Sequence, residues 1–317
     1  MLKSLRQTLR KGDIFMEIRK TAIIGMGSLG MLYGTFLLDA GQKDVAFVMD
    51  DERYEKNSGK TFYKNGKAYT LPIVKAEDAK AADLVIVAVK YTGLEAALDV
   101  MAGCIGPDTI IMSVMNGITS EEIIGKRFGM HHMVYTVAQG MDAGKFADEL
   151  KFTKMGELRF GAKEETQIPN VKDIARFFDK VKMPYTIDED IMRRLWGKFM
   201  LNVGVNQACM VYETNYGGVL AKGEPNMVMI SAMREVIALA NARGIDLGEN
   251  DINEYVEILK TLSPEGMPSM RQDGLAKRRS EVDMFSGAVI ELGKEYGIYV
   301  PVNEYLNKKV HEMEAGY

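Results

Sequence analysis

The stretch that most constrains this chain is Thr21-Ala22-Ile23-Ile24-Gly25-Met26-Gly27-Ser28-Leu29-Gly30. An apolar run ends there in Gly-x-Gly-x-x-Gly, and an amphipathic segment from Leu29 to about Ala40 follows directly. Strand, glycine turn and helix, in that order, form the fingerprint of a dinucleotide-binding unit. Gly25 permits the tight turn, Gly27 lets backbone approach a pyrophosphate, and Gly30 lets the new helix pack against the strand. The N–H groups of the first helical turn then face the phosphates. Gly25, Met26, Gly27, Ser28, Leu29 and Gly30 are therefore candidate cofactor contacts. The pattern alone also marks ordinary glycine turns. The flanking elements discriminate, as does Asp50 at the end of the next apolar run, near the ~20-residue offset of an acid that binds an adenosine ribose.

Downstream, apolar runs at 45–49, 83–90 and 109–114 alternate with helical patterns at 92–101 and 120–128. Every residue from Leu84 to Val89 is apolar, as in a parallel strand covered on both faces. This alternation predicts a parallel α/β sheet, whose ligands collect at the carboxyl ends of the strands. Gly25, Asp50, Lys90 and Asn116 all fall at such ends. A hairpin is expected across Asn65-Gly66, with 68–74 extended. Further strands are expected at 134–141, 151–154, 157–160 and 185–187, with a helix over 171–181. From Glu189 the 3.6-residue period takes over, predicting helices at 190–212, 224–243, 250–262, 280–296 and 303–314. The fold class is α/β: an N-terminal extension over 1–15, a Rossmann-type parallel-sheet domain over 16–188, and a mostly α-helical domain over 189–317.

Composition excludes several function classes. A chain of 317 residues, 47% apolar and 26% charged, suits two globular cores. A net charge of −4 does not favour nucleic acid or an anionic membrane as partner. No apolar run approaches the ~20 residues of a membrane span. Cys104 and Cys209 stand far apart without Cys-x-x-Cys spacing, which fits reduced, packed thiols in the cytoplasm. Histidine is limited to His131, His132 and His311, and no cluster has metal-ligand spacing. No metal is expected, and a proton donor is sought among Lys, Tyr and Glu.

A second constellation lies in the helical half. Lys198, Asn202 and Asn206 recur at i, i+4 and i+8 in a segment otherwise apolar or glycine. At 100° per residue they span only about 80° of the helix. A surface helix shows the reverse, a narrow apolar stripe on a polar cylinder. The three side chains are therefore on a largely buried helix and need partners, since an unpaired buried polar group costs about 1–3 kcal/mol. A structural polar network between helices would satisfy the same pattern. Further on, Ser280 is placed to cap a helix whose first turn holds Glu281.

Together these motifs resemble the ketopantoate reductase (2-dehydropantoate 2-reductase) family, over residues 16–314. The resemblance rests on residues 25–30, Val89-Lys90, Asn116-Gly117, Trp196-Gly197-Lys198-Phe199 with Asn202 and Asn206, Pro268-Ser269-Met270 with Gln272-Asp273, and Ser280-Glu281-Val282-Asp283. It implies a Rossmann domain followed by a helical one. It implies Lys198 as the catalytic lysine and Glu281 as the acidic residue at the substrate. Asn116, Asn202, Asn206 and Ser269 become substrate contacts, and Lys90 and Asn116 lie near the cofactor. The implied reaction is nicotinamide-dependent reduction of 2-dehydropantoate to pantoate, as in pantothenate and coenzyme A biosynthesis. A small 2-oxo acid is then the partner, and a homodimer stays open. So do another 2-oxo acid as substrate and a non-catalytic dinucleotide sensor, though a sensor needs neither Lys198 nor Glu281.

Resemblance and local chemistry diverge on the cofactor. The family pattern implies NADP(H), read by a basic residue at the end of the second strand. Here Asp50 stands in that place, followed by Asp51 and Glu52, which favours the ribose hydroxyls of NAD(H). Arg53, helped by Lys56, opposes this, since a guanidinium pairs bidentately with a 2′-phosphate. The nearer carboxylate weighs more, so NADH is expected to be competent and any NADPH preference weak.

Overall fold

A computed structural model describes residues 16–317; the N-terminal extension expected at 1–15 lies outside the described residues. The first compact unit runs up to Met115 and resumes over Ser120–Ile191. Its strands are β1 (Lys20–Ile24), β2 (Asp44–Met49), β3 (Thr61–Lys64), β4 (Lys67–Thr70), β5 (Ile73–Lys75) and β6 (Leu84–Val87). They continue with β7 (Ile110–Ser113), β8 (Met133–Gln139), β9 (Gly144–Phe146), β10 (Glu149–Lys151), β11 (Glu157–Gly161) and β12 (Tyr185–Ile187). Eight of them form one sheet in the order β12-β11-β8-β7-β6-β1-β2-β5. Among the described strands of this sheet only the β11–β8 pair is antiparallel, with Phe160 opposite Thr136.

The period-2 geometry of the strands sorts their side chains to two cores. On one face Ile23, Phe47 and Met112 meet Met31, Leu32 and Leu37 of α1 (Ser28–Asp39) and Ile174 and Phe178 of α5 (Ile168–Val181). On the other, Ala22, Ile24, Val85 and Ile111 meet Leu94, Leu98 and Met101 of α3 (Leu94–Met101) and Ile124 of α4 (Ser120–Phe128). Both cysteines are buried; burial pushes the Cys104 thiol up to about 11 and the Cys209 thiol up to about 12.

A small second sheet, β4-β3-β10-β9, covers part of the first face and contributes Phe62 and Leu150 to its core. Asn65 (φ 47) and Gly66 (φ 80) form the expected hairpin turn, of the type that matches strand twist. The extended run predicted at 68–74 is split: β4 ends at Thr70, and β5 joins the large sheet beside β2. The strand predicted at 151–154 is displaced to Glu149–Lys151. Beyond it the Phe152 N–H donates to the Asn65 side chain, and the Thr153 and Lys154 N–H groups donate to Asp142 Oδ1, so no donors remain for a ladder.

The second unit comprises Asn116–Thr119 and Met192–Tyr317. Its long helix α6 (Ile191–Val211) buries Trp196, Phe199, Met200, Val203 and Met210 at 1% exposure or less. Two glycines bring neighbours close. A Cβ on Gly197 would meet the Tyr255 hydroxyl at 2.5 Å, and one on Gly204 would meet Met233 Cγ at 2.7 Å. These neighbours belong to α9 (Glu249–Lys260) and α8 (Glu224–Ala242). Short α7 (Tyr216–Leu220) and α10 (Ser269–Leu275) precede α11 (Ala288–Tyr296) and α12 (Pro301–Glu314). The helix expected from Ser280 opens later, with a π-turn over Asp283–Gly287. Ser280 does not cap it: its N–H donates to Glu314 Oε1, and its buried hydroxyl has no partner among the described residues.

At the start of α4, Glu121 is 1% exposed and accepts a hydrogen bond from Ser120, whose hydroxyl also meets Ser113 Oγ at 2.8 Å. Burial pushes its carboxyl up to about 7, against the pull of its hydrogen bonds. A carboxyl raised in the folded state is protonated there while the unfolded chain ionises. Its stabilising contribution is full at low pH and lost as pH climbs from about 4.5 through about 7. Urea unfolding at pH 5 and pH 8 should therefore show a smaller loss of stability for Glu121→Gln than for the wild type. Identical losses would contradict this account.

Candidate active site

The glycine turn joins β1 to α1. Gly25 has φ +102°, and a Cβ there would lie 2.5 Å from the Ala88 carbonyl oxygen. A Cβ on Gly30 would lie 2.0 Å from the Gly25 carbonyl oxygen. Both glycines are demanded by the protein's own packing. Gly27 is different: its backbone is extended (φ −79°, ψ −167°), and its Cβ would meet nothing nearer than 3.9 Å. Nothing within the chain requires glycine at this N-cap, so the open space suits a ligand's approach, and the adjacent helical N–H groups suit its phosphates. The residues present fit a dinucleotide.

Asp50 ends β2 as expected, but the local helix uses it. It caps α2 (Asp51–Asn57), with Oδ1 accepting the Arg53 N–H at 2.8 Å and Oδ2 the Arg53 guanidinium at 2.7 Å. Sequence reasoning missed a neighbouring group altogether. Lys145, on β9, donates from Nζ to the Met26 carbonyl oxygen at 2.9 Å. It lines a groove of about 420 Å³ with Met26, Arg53, Lys56, Lys60 and Asp148. No spacing signal could have found it, because the pairing of β10 with β3 is what carries the hairpin there. Lys90 is exposed at the carboxyl end of β6, opening the turn Tyr91–Gly93.

In the helical unit the expected stripe is assembled. Lys198 Nζ donates to Asn116 Oδ1 at 3.1 Å. Asn206, 6% exposed, donates to Asn202 Oδ1 at 3.4 Å. Its own Oδ1 receives the Ser269 hydroxyl and the Met270 N–H, each at 3.4 Å. Asn116 is presented by the segment Asn116–Thr119, where Gly117 (φ +89°) packs so closely that a Cβ would be 2.8 Å from Met284 Cγ. Met284 lies in the π-turn just after the half-buried Glu281, and such turns recur at functional sites. A second buried network carries no periodic sequence signal: Gln207 Nε2 donates to Asn303 Oδ1, and Asn303 donates to Glu235. It ties α6, α8 and α12 together.

A Rossmann-type sheet with this glycine turn, followed by a helical unit carrying one polar stripe, defines a nicotinamide-dependent oxidoreductase of the 2-oxo acid reductase class. The family model "Ketopantoate reductase PanE/ApbA" matches residues 21–165, and its C-terminal counterpart matches 190–314. The chain belongs to the ketopantoate reductase family. It is 25% identical over 303 residues to the 2-dehydropantoate 2-reductase of Streptococcus pyogenes serotype M6, covering 92% of this chain and 97% of that one. Among solved structures, D-mandelate dehydrogenase with NADH and anilino(oxo)acetate superposes with a TM-score of 0.82 at 24% identity, covering 94% and 98%. A PanE/ApbA family ketopantoate reductase from Ralstonia eutropha gives 0.78 at 24%, covering 94% and 99%.

The glycine geometry separates two roles by experiment. Gly27→Ala should leave the urea midpoint near wild type while weakening dinucleotide binding at least tenfold by calorimetry. Gly30→Ala should lower both. Equal loss of stability in the two variants would mean that Gly27 serves packing instead.

Proposed function

We propose that the enzyme reduces 2-dehydropantoate to pantoate. The observation that supports this most is Lys198, held by Asn116 on an otherwise apolar face of α6 and continued by Asn202, Asn206 and Ser269. A bound reduced nicotinamide supplies hydride to the C2 carbonyl carbon. Negative charge then develops on the C2 oxygen, and the Lys198 ammonium stabilises it and hands over a proton. Asn116 accepts one of the three ammonium N–H donors, which directs the side chain. Asn202 and Asn206 both donate and accept, as a substrate with a carboxylate and a hydroxyl requires. Ser269 contributes a hydroxyl beside them, and Glu281 accepts the substrate hydroxyl. The glycine turn and Lys90 serve the cofactor.

The second reading is the same chemistry on another 2-oxo acid. D-mandelate dehydrogenase, with NADH and anilino(oxo)acetate, has the same fold. Following cofactor absorbance with 2-dehydropantoate, 2-oxoisovalerate, pyruvate and phenylglyoxylate decides between them. The proposal expects kcat/KM to be at least tenfold higher for 2-dehydropantoate than for the others. A higher value for another acid would replace the substrate, and no turnover with any would favour the sensor reading.

Lys198→Ala should lower kcat at least ~10²-fold, the lower end of acid–base contributions, with little change in folding or dinucleotide affinity. Turnover near the wild-type rate would remove Lys198 from the chemistry.

A further inference from the structure

The groove beside the glycine turn is built from one compact unit and is strongly cationic. Arg53 and Lys56 come from α2, Lys60 from the residues just before β3, and Lys145 from β9, against one carboxylate, Asp148. Arg53 already shares its charge with Asp50. Lys56 and Lys60 are exposed and make no ion pair among the described residues. Lys145 is half-buried, with its ammonium 5.9 Å from the Phe62 ring centroid and its Nζ anchored on the Met26 carbonyl. Burial pushes its pKa down, Asp148 opposes that, and the charges of Lys60 and Lys56 push it down further. Holding these cations together is unfavourable, and an anion of two charges relieves it.

The position of the groove says which anion. It opens at Met26, between the first two glycines of the turn, and along α2, which follows the end of β2. That is where the adenosine ribose of a dinucleotide lies in such a sheet. The expectation from Asp50 was that this carboxylate binds the ribose hydroxyls and disfavours a phosphate. In the structure both of its oxygens are engaged by Arg53, so its charge is largely answered locally. We propose that Lys145, with Lys60, reads the 2′-phosphate of NADP(H) from the hairpin of the small sheet, in place of a basic residue at the end of the second strand. Lys145 is thereby the specificity-determining residue for the cofactor, and NADPH is strongly preferred over NADH.

This rests on the reductase reading, yet its test is independent of turnover. Calorimetry on the full chain would compare adenosine 2′,5′-bisphosphate with 5′-AMP for the wild type, Lys145→Met and Lys60→Met. The wild type should bind the bisphosphate at least about 30-fold more tightly. Lys145→Met should cut that ratio at least tenfold and leave AMP affinity within about twofold; Lys60→Met should cut it about threefold. Equal binding of the two nucleotides by the wild type would overturn the proposal. So would a Lys145→Met variant that weakens both equally, which would make Lys145 a brace for the glycine turn alone. In steady-state assays the NADPH-to-NADH ratio of kcat/KM should fall in parallel. Intact discrimination with no reduction of any 2-oxo acid would support this proposal and sink the reductase reading.

Discussion

The first unit depends on how closely α1 approaches the end of β1. Backbone meets backbone there: the space that a Cβ on Gly30 would occupy lies 2.0 Å from the Gly25 carbonyl oxygen. Gly25 in turn lies against Ala88, at the end of the neighbouring strand β6. Only glycine at both places lets the helix start directly over the strand end. The consequence is electrostatic as well as steric, because the unsatisfied N–H groups of α1 are fixed at the carboxyl edge of the sheet. The same approach sets the rest of the layer. Phe47 of β2 lies directly beneath Gly34 of α1, where a Cβ would be 2.3 Å from its ring.

The helical unit solves a different problem. A lysine and two asparagines on a helix as buried as α6 would be costly without partners. The partners come from segments distant in sequence: Asn116 for Lys198, and Ser269 with the Met270 N–H for Asn206. These pairings aim polar atoms in fixed directions. That is what positioning a small polar substrate demands. The Gln207–Asn303–Glu235 network uses the same currency to join three helices without involving the stripe.

Much of this was legible in the sequence, wherever a single local rule decided the outcome. The glycine turn, the apolar strands β6 and β7 and the polar stripe of α6 each follow from one periodicity or one steric demand. What was not legible depended on competition between partners. Asp50 has the spacing of a ribose-binding acid, yet its position before Asp51–Asn57 also makes it a helix cap, and Arg53 takes one oxygen with its backbone N–H and the other with its guanidinium. Ser280 has the residue type of a cap, but its N–H is claimed by Glu314, 34 residues away in sequence. The place of Lys145 follows from the parallel pairing of Glu149 with Tyr63, a non-local contact that no local pattern encodes. Likewise, Asn116–Thr119 groups with the helical unit although both flanks belong to the first unit.

In the proposed reaction, hydride goes to the C2 carbonyl of a 2-oxo acid while Lys198 stabilises the oxygen. The most direct measurement follows the label. Nicotinamide cofactor deuterated at C4 on the transferring face is incubated with 2-dehydropantoate, and the product is read by mass and proton NMR. Direct hydride transfer should give pantoate carrying one deuterium, at C2, with none exchanged into solvent. Pantoate without deuterium at C2, or label found elsewhere in the product, would contradict it.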